Sequence, residues 1–214
     1  MSECSFDLRH YDELLDAAVA GGYRWARFDH EPEAGDLFLR HDVDLSLAAA
    51  LQMARLERQH GASATYFLMT ESLFYNLASS EGRDAIEELR SLGHAVGLHA
   101  VHPRFAKDAR FDPVMAWHNP DPEYVFEPVA GAVNVMQAPW FTQGHYRSDS
   151  NQHWREGCPH DELRTAAFEW LQLLVHPEIW VYPGATMRET MEAMLDAKRR
   201  EALEQLANDR IDLS

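Results

Sequence analysis

The stretch Leu37 to Gly61, LFLRHDVDLSLAAALQMARLERQHG, decides the fold. An apolar run ends in His41, Asp42, Val43 and Asp44, and a helical pattern begins at once. Asp44 or Ser46 can cap that helix, and Leu47, Ala50, Leu51, Ala54 and Leu56 fit one buried face. Gly61 sits where a C-cap glycine is expected. This reads as strand, loop and helix. Two carboxylates at the mouth of a buried strand repel each other and are costly to desolvate, so the joint needs a neutralising partner. A divalent metal ion is the first candidate.

Working outward, the same alternation recurs. Residues 9 to 21 carry a helical stripe of Leu14, Leu15, Ala18 and Val19, stopped by Gly21-Gly22. ASATYFLM reads as a strand, GRDAIEELRSLG as a helix closed by Gly93, and HAVGLHA as the next strand. Buried strands alternating with amphipathic helices argue for a parallel sheet or barrel whose site lies on the loops after the strands. From 103 to 160, seven prolines (Pro103, Pro113, Pro120, Pro122, Pro128, Pro139 and Pro159) interrupt every pattern, and long functional loops are expected. PHDELRTAAFEWL then reads as a helix with Leu163, Ala166, Ala167 and Trp170 on one side, followed by the strand LQLLVHP. The tail from about 186 to 208 is a long helix with a packing face of Met187, Met191, Met194, Leu195, Leu203 and Leu206. The 214 residues are expected to form a single domain.

Composition narrows the class. Apolar residues make up 46% and charged residues 25%, with no repeat and no stretch long enough to span a bilayer. The start lacks a basic segment before its short apolar part, and acids interrupt it, so a cytoplasmic protein is expected. The net charge of −16, from 35 acids against 19 Lys plus Arg, repels phosphate backbones and anionic membranes, which argues against nucleic acid and membrane partners. Cys4 and Cys158, far apart and without a CxxC, read as free thiols. Twelve histidines, several beside carboxylates, point to metal or proton chemistry.

Three separate strands end in ionisable side chains: Asp42 and Asp44 on one, His99 with His102 on another, and His176 on the last. In a parallel α/β fold such ends converge on one side, the arrangement a metal site needs from residues distant in sequence. Asp44, His99 and His102 supply one oxygen and two nitrogens and leave positions open for water and substrate.

These residues also carry a resemblance. LRHDVDLSLAAALQMARLERQHGASATYFLM, LRSLGHAVGLHAVHPRF and LLVHPEIW are similar, in order and spacing, to successive motifs of the polysaccharide deacetylases, the NodB-homology group or carbohydrate esterase family four. The likeness covers residues 36 to 105 and about 170 to 180. RHDVD stands where the best-known members have Asp-Asp followed by glycine. The second ligand histidine usually follows the first by four residues, a place held here by Pro103, with His102 at three. The resemblance implies a deformed (β/α) barrel of the deacetylase type. It also implies a divalent ion, most readily zinc, with cobalt, nickel or manganese as substitutes, and hydrolysis of an N-acetyl group on an amino sugar or glycan precursor. Asp42 then corresponds to the catalytic base, Asp44, His99 and His102 to the metal ligands, and His176 to the general acid; His94 matches a common histidine that is not a ligand. The family's arginine-proline-aromatic motif is absent, and Arg147 or Arg155 is the candidate replacement for its arginine, which orients the base.

Two further segments are candidates for the pocket lining. AWHNPDPEYV offers His118 and Asn119. GHYRSDSNQHWREG offers Asp149, Asn151, Trp154 and Arg155, a mix of hydrogen-bonding groups and an aromatic face suited to a sugar. His145, His153 and His160 read as exposed loop residues. One rival reading is a deacetylase fold that binds sugar or metal without catalysis. The other is a non-haem iron oxygenase with two histidines and a carboxylate, against which the alternating helices count.

Overall fold

The computed structural model describes residues 4–102 and 108–211. Pro103 and the end of the HPRF segment lie outside the described residues. The chain runs α1 (Leu8–Ala20), β1 (Arg24–Trp25), β2 (Asp36–Val43), α2 (Leu47–Gln59), β3 (Ala64–Met69), α3 (Ser80–Ser91) and β4 (Ala95–Ala100). It continues with β5 (Val114–Trp117), β6 (Val133–Asn134), β7 (Tyr146–Ser148), α4 (His160–Arg164), β8 (Leu171–Val175), α5 (Pro177–Val181) and α6 (Met187–Asn208). Seven strands lie in the order β6-β5-β4-β3-β2-β8-β7, with β1 added beside β2. Every strand pairing is parallel, and the sheet is curled into half a barrel, compatible with a deformed (β/α) barrel.

The strand-loop-helix reading of 37 to 61 holds, with Leu47, Ala50 and Ala54 buried as expected, Leu51 and Leu56 only partly buried, and Met53 and Glu57 buried beside them. The Ser46 hydroxyl accepts from the backbone N–H of Ala49 at 3.1 Å and so caps α2, leaving Asp44 free for another role. Gly61 takes φ +65°, the left-handed conformation in which glycine escapes the Cβ penalty.

All eight residues of β2 are buried because both of its faces are covered. Leu37, Leu39 and Val43 pack among Tyr11, Leu14, Met53 and Ala54 of α1 and α2. Phe38 faces the other way, onto Phe28, Phe67, Val114 and Ala116, filling the hollow of the curled sheet. Gly97 lies in that hollow, where a Cβ would stand 2.6 Å from the Phe67 ring. His41 points with the leucines toward the helices. There Glu57 of α2, fully buried, accepts from the hydroxyls of Tyr11 at 2.6 Å and Tyr66 at 2.8 Å and stands 2.6 Å from His41 Nε2. His94 belongs to the same cluster: its Nδ1 accepts from the Ala64 N–H at 3.1 Å, and its Nε2 faces the Ala54 carbonyl at 3.2 Å. His41 and His94 therefore serve the helix-sheet interface.

Three expectations change. The segment 103 to 160 was read as loop, but it contains β5, β6 and β7, short strands that extend the sheet at both edges. The helix read from 159 onward stops at Arg164, and Ala166 turns back with φ +50°. The long terminal helix forms with Thr186 as its cap, yet of the expected packing face only Met194 is buried, while Leu195 and Leu203 are exposed. None of the described helices is long and apolar enough to cross a membrane.

Candidate metal centre and its flanking groups

Strand register brings the ionisable ends together. Phe67 of β3 pairs with Asp42, Met69 pairs with His99, and His99 pairs in turn with Ala116 of β5. The backbone N–H of His118 then donates to the Ala100 carbonyl at 2.9 Å, setting His118 beside the end of β4. On the other side of β2, Val175 pairs with His41, so His176 follows at the level of Asp42. Side chains from β2, β4, β5 and β8 thus meet at the C-terminal edge of the sheet, as in other parallel α/β architectures.

At the centre are three atoms. Asp44 Oδ1 lies 3.1 Å from His99 Nε2 and 3.1 Å from His118 Nδ1, and the two nitrogens are 3.3 Å apart. Asp44 Oδ1 is buried, yet receives no directed hydrogen bond from either ring. The tautomer of His99 explains part of this. Its Nδ1 faces the Ala116 carbonyl at 3.2 Å, a contact that needs the proton on Nδ1 and, in the neutral ring, leaves the Nε2 lone pair facing Asp44 Oδ1 and His118 Nδ1. A carboxylate oxygen and an unprotonated imidazole nitrogen at 3.1 Å repel unless a proton or a metal ion lies between them. Ligands about 2.0 Å from a tetrahedral ion would be roughly 3.3 Å from one another, close to the three separations found. The Asn119 amide stands 3.1 Å from His118 Nε2, and with its oxygen toward the ring it would accept from Nε2–H and leave Nδ1 for the ion. Asp44, His99 and His118 can therefore hold a metal ion. Burial pushes the Asp44 carboxyl up, but His118 and His99 together hold it well below the usual range; His118 is raised in turn by its contact with Asp44.

Asp42 is the inward neighbour of this group. Its Oδ1 accepts from Arg40 Nε at 2.8 Å and its Oδ2 from Arg40 Nη2 at 2.6 Å, a bidentate pair with both side chains buried. Oδ2 also lies 3.6 Å from His99 Nε2. Burial acts to raise the Asp42 carboxyl, but the Arg40 guanidinium paired with it overrides this and holds it below the usual range, ionised. The Arg40 guanidinium is fixed further by Gln172 Oε1 at 3.2 Å.

His176 forms the third part. Its Nδ1 is 2.6 Å from Asp149 Oδ1, while Asp149 Oδ2 accepts from the His176 backbone N–H at 2.9 Å and from Trp180 Nε1 at 2.7 Å. Burial would lower this imidazole, but the Asp149 carboxylate against it raises it to about 10, so at neutral pH it carries a proton. Its charge is felt by Asp42, Asp44 and His118. Glu178 is buried nearby, with Oε2 unpartnered, and burial raises it to about 8.

Other residues expected in the site fall differently. His118, read as a pocket residue, completes the metal group. His102, read as a ligand, is exposed past the end of β4, its ring 6.2 Å from that of Tyr124. Asp149, read as a substrate contact, is fully buried and orients His176. Trp154 packs in the core, 6.2 Å from both Phe6 and Trp180, so it offers no open face to a sugar. Asn119 touches His118, and Asn151 is exposed in a left-handed turn at φ +59°. Arg147 forms a bidentate pair with Glu162. Arg155, with Phe141, Tyr146 and Ser148, lines a hollow of about 360 Å³. A second hollow, about 260 Å³, opens beside Asp44 and His118 between Met69, Leu73, Phe74 and Val101. A larger one of about 450 Å³ lies at the opposite, N-terminal ends of β3 to β5, away from these groups.

The arginine that holds Asp42 is Arg40, inside the opening stretch, and not Arg147 or Arg155. Period-two alternation was the signal available for it, because residues 40 and 42 of one strand share a face. Glu178 left no comparable trace, since its burial depends on how α5 packs. Comparison with protein-family models, with curated proteins and with solved structures yields no match to this chain.

Proposed function

We propose that this chain is a metal-dependent amide hydrolase that removes an N-acetyl group from an amino sugar or glycan precursor, with a divalent ion of the zinc type held by Asp44, His99 and His118. The observation that carries the reading is the meeting, at one sheet edge, of that ligand triangle, an arginine-held carboxylate and an aspartate-held imidazolium. The substrate class rests on the resemblance of the strand-end motifs to polysaccharide deacetylases.

A bound ion would supply Lewis acidity, making water a stronger acid at neutral pH and drawing electron density from a carbonyl. Asp42 stays ionised and accepts the water's proton through Oδ2, the oxygen nearer the metal group. Arg40 fixes its direction and keeps it a weak base. His176 holds a proton at neutral pH and delivers it from Nε2 to the departing amine, which leaves poorly as an anion. Asp149 occupies Nδ1 and so directs Nε2 outward.

A second reading, a sugar or metal binder without catalysis, is favoured by Arg40, which engages both oxygens of Asp42. Acetate release from a panel of N-acetylated sugars and sugar nucleotides by the zinc-loaded protein, beside Asp42→Asn and His176→Gln, separates the two. Release by the wild type and a loss of about 100-fold or more in each variant supports hydrolysis. Stoichiometric metal with no release across the panel supports the binder.

A further inference from the structure

A second cluster stands apart from this site. Cys4 on the segment before α1, His10 in α1 and Cys158 just before α4 place two sulfurs and a ring nitrogen within 4.8 Å of one another. His10 Nε2 is 3.2 Å from Cys158 Sγ, and His10 Nδ1 is 2.9 Å from Glu13 Oε2. His10 is buried, and both cysteines are half-buried free thiols.

We propose that Cys4, His10 and Cys158 bind a thiophilic metal ion of the zinc class, with Glu13 orienting the imidazole from behind. The donor set matches that chemistry: two thiolates and one imidazole select zinc over hard cations, and a carboxylate on the remote ring nitrogen is the usual support for a ligating histidine. Ligand separations around tetrahedral zinc with such donors are roughly 3.5 to 3.8 Å, within the spread of these three atoms and near the His10–Cys158 distance. A bound ion would tie the N-terminal segment, α1 and α4 together. It would do so beside Trp180, whose ring lies 6.3 Å from His10 and 5.2 Å from Phe6 and whose N–H holds Asp149. The role is structural: it braces the shell behind His176 and touches no reacting atom.

The test is anaerobic titration of the full-length, phosphine-reduced protein with cobalt(II), read in the near ultraviolet, where thiolate-to-cobalt charge transfer absorbs and oxygen and imidazole ligands do not. The band should saturate at one cobalt in an Asp44→Ala/His118→Ala variant, which lacks the other centre. It should be lost in Cys158→Ser, fall at least severalfold in Cys4→Ser, and disappear when zinc is added. Zinc should also slow alkylation of both cysteines in the folded wild type at least tenfold, a readout that needs no variant. A cobalt complex without the band, a band unchanged in Cys4→Ser, alkylation unaffected by zinc, or a Cys4–Cys158 disulfide as the state of the freshly purified protein would each overturn the proposal. Because the cobalt titration uses the Asp44→Ala/His118→Ala background and the alkylation reads only the two cysteines, these results are independent of the hydrolase reading.

Discussion

Replacing Asp149 with Asn tests the electrostatics of the site without changing its shape. The amide oxygen can still accept from the His176 backbone N–H and from Trp180 Nε1, the two bonds now made to Oδ2. What is lost is the negative charge 2.6 Å from His176 Nδ1. That imidazole is raised from 6.5 to about 10 by the carboxylate, against its burial. At about 1.4 kcal/mol per pH unit the difference corresponds to at most about 5 kcal/mol of linked stability. The sign follows from the direction of the shift. A histidine raised in the folded state stabilises fully below its unfolded value of 6.5, and the contribution is lost as pH rises through about 10. Asp149→Asn should therefore be destabilised by several kcal/mol at pH 6, and the gap from wild type should narrow to the order of 1 kcal/mol above pH 10.5. Urea unfolding across that range measures the gap, and imidazole-selective NMR follows His176 directly. A gap that does not change with pH, or a His176 that titrates alike in both proteins, would refute the assignment of this imidazole as a carboxylate-held cation.

Other outcomes follow from the same structure. Arg40→Met strands a buried carboxylate and should cost about 3 to 5 kcal/mol in chemical denaturation, whereas Arg40→Met combined with Asp42→Leu should recover most of that loss. Glu178 is an acid raised to about 8, so its burial destabilises the fold increasingly as pH climbs from about 4.5 toward 8. Glu178→Gln should gain melting temperature relative to wild type across that interval and hold the gain above it; equal pH profiles would sink the idea. Gly97→Ala sets a methyl 2.6 Å from Cε1 of Phe67 and 3.0 Å from the Val114 carbonyl, and should cost about 1 to 3 kcal/mol by overpacking, read from urea midpoints.

The opening stretch made much of this legible. Alternation of apolar strand and capped helix gave β2 to β4 and their parallel order, because those elements are long and bounded by Ser46, Gly61 and Gly93. Asp42, Asp44, His99 and His176 could be placed because each closes a strand, and in a parallel sheet strand ends share an edge. What stayed hidden depended on contacts between segments. β5 is only four residues, Val114–Trp117, among prolines, so His118 did not register as another strand-end histidine. His102 stood at a plausible spacing from His99, but the strand ends at Ala100 and no longer governs where that side chain goes. Asp149 and Trp154 lie in a polar segment that reads as surface, and only the packing of Trp180 beneath it shows them buried. The pairing of Cys4 with Cys158 depends on α1 packing beside α4, a contact between elements about 150 residues apart.

The most direct test of the metal centre is elemental analysis of the protein after zinc loading and gel filtration. It should be done in a Cys4→Ser/Cys158→Ser background, so that only one candidate centre is counted, with folding checked by circular dichroism. The expected result is one zinc per chain, lost on Asp44→Ala or His118→Ala and kept on His102→Ala. Retention of zinc by the folded Asp44→Ala and His118→Ala proteins, or its loss from His102→Ala, would contradict the assignment of Asp44, His99 and His118 as the ligands.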